Sequence, residues 1–554
     1  MQQRKTRIGL GLLTAALVGV GCQDLQVTNP NNPDRDRAIS NPADVENLIA
    51  GTYATLWNPL HDYASAALLW SAWGREGTTT SQVGAIWVSA TQEPAQAISN
   101  DSNQNPSTGL IGPPQAWLDF HRVASNANDG LAAIAGETGS QMSELTRARA
   151  RAVALLNRGL AWGYLAMGWD QATILFEDTD LGSDANAVVK ANIRPYPEVL
   201  QAALASIDEA IAVANATPFT VPASWYRTAG DFSSAELIRV ANSYKAKFLV
   251  YTARTPEERA AVDWNQVLQL TSNGVTQDWG TLVTPEAGGL TTDYIRQLQL
   301  NSRNGLQQSR ADYETIGPAD VSGTWQTYIN TPLEQRQKIL ITTPDRRVTG
   351  PTPESDGTYF RFMSPALVGT LATEGSTWGF LADRGLYNFS AYQWYRYGGG
   401  FTNIFVPMMG VTENRLIRAE ALLRTGDAEG AAALINVSRT APQTIGTTQY
   451  PGLPAVTAAG VPQGESCVPR TRGGACGDLL EALIYERRIE LYGVDGMRSW
   501  ADNRGFGRLR EGNPIHMPVP GRELEALGLP QYTYGGVGGN CAFGAACAPA
   551  FVNP

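Results

Sequence analysis

The chain has 554 residues, 43% of them hydrophobic and 17% charged, enough apolar material to bury a large core. A net charge of −10 and an isoelectric point near 5.1, with no basic patch to meet phosphates, argue against nucleic-acid binding. The three histidines, His61, His121 and His516, are scattered, and no H-E-x-x-H or G-x-S-x-G motif marks a metal or serine hydrolase centre.

At the N-terminus, Arg4, Lys5 and Arg7 precede an apolar run over residues 8–20, too short to span a bilayer as a helix. It closes on Leu17-Val18-Gly19-Val20-Gly21-Cys22, a small residue before a cysteine. Residues 1–21 therefore read as a lipoprotein signal peptide with Cys22 as the lipidated residue. Gly19 departs from the usual leucine or valine, so an ordinary secretory signal containing a cysteine is the alternative. Acyl chains on Cys22 would stabilise attachment by about 0.8 kcal/mol per buried methylene. Residues 22–37, rich in Asn, Asp and Pro, read as a flexible tether.

Asn41-Pro42 then opens a first helix with Val45, Leu48, Ile49, Thr52, Tyr53 and Leu56 in phase, and residues 60–73 continue helical. Residues 74–114 lack periodicity and read as a long loop carrying Trp87, of the kind that is often functional. Helical patterns return over 117–134, 144–167, 196–215 and 234–254. Small-residue-rich helices separated by short turns predict tetratricopeptide-like pairs, clearest at Ala419, Leu422, Gly426 and Ala431, although no strict repeat period survives. Residues 272–410 are irregular and aromatic, with a short strand or hairpin expected within 387–397.

Beyond Cys22, four cysteines remain in an exported chain: Cys467, Cys476, Cys541 and Cys547. They allow three pairings, and the local one, Cys467–Cys476 with Cys541–Cys547, is expected because it closes two short loops in Gly/Pro-rich segments. Neither C-x-x-C spacing nor histidine pairs support zinc. Asp178, Asp180 and Asp184 lack the spacing of an EF-hand and read as a solvated acidic loop.

Residues 479–502 read LLEALIYERRIELYGVDGMRSWAD. Leu479, Leu480 and Leu483 form an apolar helical stripe, and Glu486, Arg487 and Glu490 continue it seven residues on. Charges on a buried face must pair with one another or with nearby groups. Gly493 and Gly496 are expected to end the helix before an Arg498-x-Trp500-x-Asp502 turn. Glu486 and Glu490 imitate an acid/base pair, but with arginines beside them they read as a structural ion-pair cluster. Residues 517–524, MPVPGREL, follow.

The E-R-R-x-E-L helix, the glycine pair, the R-x-W-x-D segment and the Pro518-Val519-Pro520 … Glu523-Leu524 closure together resemble the SusD/RagB family of nutrient-binding outer-membrane lipoproteins. The opening helix after Asn41-Pro42, the Trp117 helix (with His121 where tyrosine is usual, and Asn128) and Asp345-Arg346-Arg347 are similar to further elements of that family. The resemblance spans about residues 22–535 and is weakest between 270 and 400. It implies a mainly α, SusD-like fold: a tetratricopeptide-like helix-pair scaffold with long irregular loops and a little β, the N-terminal region covering 38–270 and the C-terminal region 271–554 in one unit. It also implies a surface protein, anchored to the outer membrane by lipid, that captures a glycan or other oligomeric nutrient for a SusC-like TonB-dependent transporter, with no enzymatic activity, cofactor or metal. A surface-anchored glycan hydrolase is the alternative function, requiring two carboxylates facing each other across a cleft.

Sugar recognition calls for flat rings against C–H faces and polar side chains against hydroxyls. Trp73, Trp87, Trp378, Tyr392 and Trp394, each in or beside a glycine-rich irregular segment, are the candidate rings, with Asn388, Gln393 and Arg396 as polar companions.

Overall fold

Helices dominate because the apolar residues recur at helical spacing and polar caps mark the starts. The structure is a computed structural model that describes residues 39–61, 66–79, 113–284, 290–292, 294–295, 298, 309–364, 390–397, 403–510 and 513–532. In α1 (Pro42–His61) the Asn41 side chain accepts the Asp44 N–H at 3.0 Å, and Val45, Ile49, Tyr53 and Leu56 face inward. Helix α2 (Ala67–Trp73) is almost wholly buried. Helices α3 (Pro113–Ala135) and α4 (Glu144–Gly168) follow. Ser143 caps α4 through the Thr146 N–H, and the second half of α4 is enclosed on every side. Its small residues make that enclosure possible: a Cβ on Gly163 would lie 2.2 Å from the Phe248 ring.

Helix α5 (Tyr196–Ala216) packs Val199, Ala203, Ile207, Ala210 and Ala214 inward as one stripe against α4. It is the one described helix long and apolar enough to cross a bilayer, and here the stripe serves the protein core. Helix α6 (Ser234–Tyr251) starts with a capping box between Ser233 and Glu236. Next come α7 (Trp264–Ser272), α8 (Val411–Arg424) and α9 (Ala428–Arg439). The chain continues through α10 (Leu479–Glu490), α11 (Gly496–Gly505) and α12 (Gly521–Ala526).

Packing runs as a succession. Helices α1 and α3 lie on α4, α4 on α5, α5 on α6, α6 on α7, α7 on α8, and α8 on α9 and α10. Such stacking of neighbours gives the helix-pair character expected from the sequence. The pair expected around Gly426 is α8 and α9, joined by a turn in which Asp427 caps α9 through the Gly430 N–H.

The β content is small. The strands are β1 (Gly77–Thr79), β2 (Gln171–Thr173), β3 (Ile193–Pro195), β4 (Thr220–Val221) and β5 (Phe232–Ser233). Then come β6 (Trp279–Val283), β7 (Ser309–Ala311), β8 (Phe360–Phe362), β9 (Tyr392–Trp394) and β10 (Ile404–Met409). They pair antiparallel as β1–β7, β2–β3, β4–β5, β6–β10 and β8–β9, and a sixth pair is the hairpin of Gln443–Ile445 with Thr448–Tyr450. The strand expected within 387–397 is β9, but its partner is β8, well upstream, rather than a neighbouring hairpin arm.

One apolar core runs from Val45 to Tyr532, and a second, smaller core lies among α8, α9 and α10. Cys467 and Cys476, joined by a disulfide, border the second core; Cys541 and Cys547 lie outside the described residues. The closing motif docks on α4: the Met517 N–H donates to the Gly168 carbonyl at 2.9 Å, and the Asp170 N–H to that of Met517 at 3.0 Å.

Candidate functional site: a strand root tied to buried ion pairs

The signature segment departs from its sequence reading at one point. Gly496 does not end a helix but begins one, because Asp495 caps α11 through the Met497 and Arg498 N–H groups at 3.0 and 3.4 Å. Arg498, Trp500 and Asp502 therefore stand on a helix rather than a turn. Gly493 is the residue the bend requires. Its φ is +74°, and a Cβ there would lie 2.6 Å from the Trp394 ring.

Glu486, Arg487 and Glu490 are buried as expected, but they divide between two networks. Toward one side, Arg347 gathers three carboxylates. It donates to Asp345 at 2.8 and 3.0 Å, to Glu486 at 2.7 and 2.9 Å and to Glu490 at 2.8 Å. Burial alone would lower the Arg347 pKa; the carboxylates more than offset it and hold it well above the usual value. The Tyr485 hydroxyl completes Asp345 at 2.7 Å, and the Tyr359 hydroxyl donates to Glu490 at 3.1 Å.

Toward the other side, Arg487 pairs with Glu420 at 2.7 Å and Asp502 at 3.0 Å. Arg259 reaches the same two carboxylates at 2.6 and 3.0 Å. Burial resists the charge on Glu420, yet Arg259 and Arg487 outweigh it and pull its pKa down to about 2. A further pair, Arg498 with Glu76 at 2.9 Å, ties α11 to the segment before β1. Buried Lys247 of α6 joins Asp495 at 2.9 Å and Glu413 at 3.3 Å. These networks fix helices from both halves of the chain against one another.

Arg347 and Glu76 flank a small strand root. Here β9 lies beside β7, so the β1–β7 and β8–β9 pairs are neighbours. The chain that leaves β1 at Thr79 carries Trp87, and the chain between β8 and β9 carries Trp378 and Asn388. Trp87, Trp378 and Asn388, like Cys22, lie outside the described residues. Two distant parts of the sequence thus set out from adjoining strands.

Three of the expected ligand rings are core residues instead. Trp73 is fully buried, its ring 5.3 Å from that of Trp500. Trp394 is buried against Tyr492 and Tyr397, with centroids 5.4 and 5.5 Å apart. Tyr392 is buried with its hydroxyl between the Ile341 N–H at 2.9 Å and the Pro353 carbonyl at 2.8 Å. A neighbouring glycine signalled close packing here, not a surface loop. Gln393 is buried too and accepts from Arg361 at 3.0 Å.

Arg396 remains at the surface, donating to the Glu490 carbonyl at 2.7 Å while its guanidinium lies 4.2 Å from the Tyr359 ring. A matching stack places Arg361 4.1 Å from the ring of half-buried Tyr395. Tyr359, Arg361 and Tyr395 were not singled out from the sequence, although alternation in Tyr359-Phe360-Arg361-Phe362 is the period of a strand. The two stacks flank β8 and β9; with Arg361 buried beneath, half-buried Tyr359 and Tyr395 and exposed Arg396 leave a polar, aromatic ledge at the strand root.

Among the described residues no three His, Cys, Asp or Glu side chains converge as a metal site. In the acidic loop, Asp180 accepts the Gly182 N–H at 2.9 Å, and Asp184 accepts the Ala187 N–H at 3.0 Å at the start of the short helix Ala185–Ala191. Turn and cap geometry account for both. Glu486 and Glu490 share Arg347 inside the core, with no cleft between them.

The architecture is that of a helix-pair scaffold with short strand pairs and a buried ionic clamp. Among solved structures it matches a SusD superfamily protein from Bacteroides vulgatus with a TM-score of 0.51 and 14% identity, over 88% of this chain and 97% of that one. A SusD superfamily protein from Parabacteroides distasonis matches with a TM-score of 0.51 and 12% identity, over 88% and 98% of the two chains. One from Bacteroides thetaiotaomicron gives 0.50 and 15%, over 89% and 98%. No family model and no curated protein matches the sequence. The chain has the SusD-superfamily fold, mainly α.

Proposed function

We propose that this is a cell-surface lipoprotein, anchored to the outer membrane through Cys22, that captures a glycan or other oligomeric nutrient and passes it to a SusC-like TonB-dependent transporter. The observation that carries the reading is the signature segment, residues 479–502, found as the ion-paired α10–α11 unit of a SusD-superfamily fold. Ligand contact is assigned to the strand root, with Trp87 and Trp378 as rings, Asn388 as a polar companion and Arg396 at the rim. The ledge of Arg–Tyr stacks supports this, because planar polar groups beside aromatic faces suit sugar rings. A non-enzymatic role is favoured because Glu486 and Glu490 are spent on Arg347.

The test uses the soluble form beginning after Cys22 and a panel of oligosaccharides, followed by calorimetry. Trp87→Ala and Trp378→Ala should each weaken binding at least tenfold. Binding that survives both changes overturns the site assignment, and release of shorter products from the ligand would replace capture with hydrolysis.

A further inference from the structure

A concavity of about 330 Å³ opens between the β4–β5 region, the start of α6 and the β6–β10 pair. It is distinct from the strand root: its walls come from residues 228–240, 275–280 and Phe405. Roughly 300–1,000 Å³ is the range of small-ligand sites, so the space suits a short ligand. The floor is aromatic, made by Phe232 and Trp279, both buried, and by half-buried Phe405.

Around that floor the polar groups are held in place. Asp231 accepts the Ala223 N–H at 2.8 Å through one oxygen, and Asp278 accepts the Val411 N–H at 2.8 Å through one oxygen. The second oxygen of each carboxylate has no partner among the described residues. Gln277 is fixed by donating to Glu236 at 2.8 Å. Arg239 is exposed and also unpaired among the described residues. The indole N–H of Trp279, a residue only 6% exposed, has no hydrogen-bond partner.

Rigid acceptors and a spare guanidinium around an aromatic floor match a pyranose, which offers C–H faces and a rim of hydroxyls that both donate and accept. The rim carboxylates Asp231, Glu236 and Asp278 outnumber the single cation Arg239, which disfavours acidic sugars. We propose that this cleft is a second saccharide site, selective for a neutral sugar unit. The proposal rests on the capture reading for its ligand class, while its location rests on the cleft alone.

The experiment is a fluorine NMR titration of 5-fluorotryptophan-labelled protein with neutral mono- and disaccharides of glucose, galactose, mannose and xylose, and with glucuronic acid. The Trp279 signal, assigned with Trp279→Phe, should shift saturably with at least one neutral sugar and much less with glucuronic acid. Thr276→Trp, which places a ring in the mouth of the cleft from an exposed position, should raise the Kd more than tenfold. Should Trp279→Phe fail to fold, Arg239→Ala supplies the second handle, with an expected affinity loss of at least threefold. A Trp279 signal unmoved by every neutral sugar, or a shift that survives Thr276→Trp unchanged, overturns the cleft. Failure of the capture reading shows separately, as longer glycans that do not bind the wild-type protein or that are released from it as shorter products.

Discussion

Replacing Arg347 with methionine removes a charge while keeping a linear side chain of similar reach, so packing changes little. Arg347 is 1% exposed and makes five hydrogen bonds to Asp345, Glu486 and Glu490. Without it each carboxylate keeps a neutral donor: Tyr485 for Asp345, Ser438 at 3.1 Å for Glu486 and Tyr359 for Glu490. Breaking one buried ion pair by removing a partner costs about 3–5 kcal/mol. Three carboxylates with partial compensation put the expected loss near the top of that range, about 5 kcal/mol, against a typical total stability of roughly 5–15 kcal/mol. Arg487→Met should cost less, about 3 kcal/mol, because Arg259 stays on both Glu420 and Asp502. The assay is urea unfolding followed by tryptophan fluorescence at pH 7 and pH 5. In Arg347→Met the stranded carboxylates bind protons more readily folded than unfolded, so that variant should regain stability at the lower pH. A loss under about 1 kcal/mol, a larger effect at Arg487, or no recovery at pH 5 would refute the reasoning.

His61 and Glu420 each make the wild-type fold sensitive to acid, in different pH windows. Burial lowers the His61 pKa from 6.5 to about 3, so its contribution is present above pH 6.5 and falls by about 1.4 kcal/mol per pH unit as pH drops toward 3. Glu420, lowered from 4.5 to about 2, adds a loss that begins near pH 4.5. Burial also lowers His121 to about 4 and His516 well below 6.5, while Glu76, raised by burial from 4.5 to about 7, adds stability as pH falls between those values. His61→Gln should therefore remove only its own slope between pH 6.5 and 3 from a stability–pH curve measured by chemical denaturation. Cys467→Ser with Cys476→Ser opens a loop with a sequence separation of 9 and should cost about 2–3 kcal/mol by the chain-entropy argument, read as a lowered urea midpoint with an unchanged far-ultraviolet spectrum.

Helices with a clear apolar stripe were legible in the sequence, since the stripes of α1, α4 and α5 are what the core consumes. The α8–α9 pair was legible from its spacing of small residues. The helical state of residues 496–505 was not, because two glycines outweighed the capping role of Asp495 in a local reading. Apart from β9 the strands escaped, because each is two to six residues long and its partner is often distant, as with Thr79 opposite Ser309. Trp73, Tyr392 and Trp394 were misplaced because nearby glycine marks loops and close packing alike; Gly493 against Trp394 is the second case. The cleft around Trp279 had no local signature at all. Its walls come from three separate segments, and only the β6–β10 pairing brings Phe405 to the other two.

The strand root also bears on how such a chain can vary. Its strands are clasped from beneath: Glu76 before β1 by Arg498, Asp312 after β7 by Arg75 at 2.7 Å, and Tyr359 before β8 by Glu490. Register at the exits is therefore set by charges that the intervening chain does not supply. Segments of other lengths and compositions between Phe362 and Tyr392, or after Thr79, should leave the foundation unaltered, which urea unfolding of such exchanges would check. If ligand contact lies on those segments, as proposed, the molecule is a chassis on which specificity is a replaceable part.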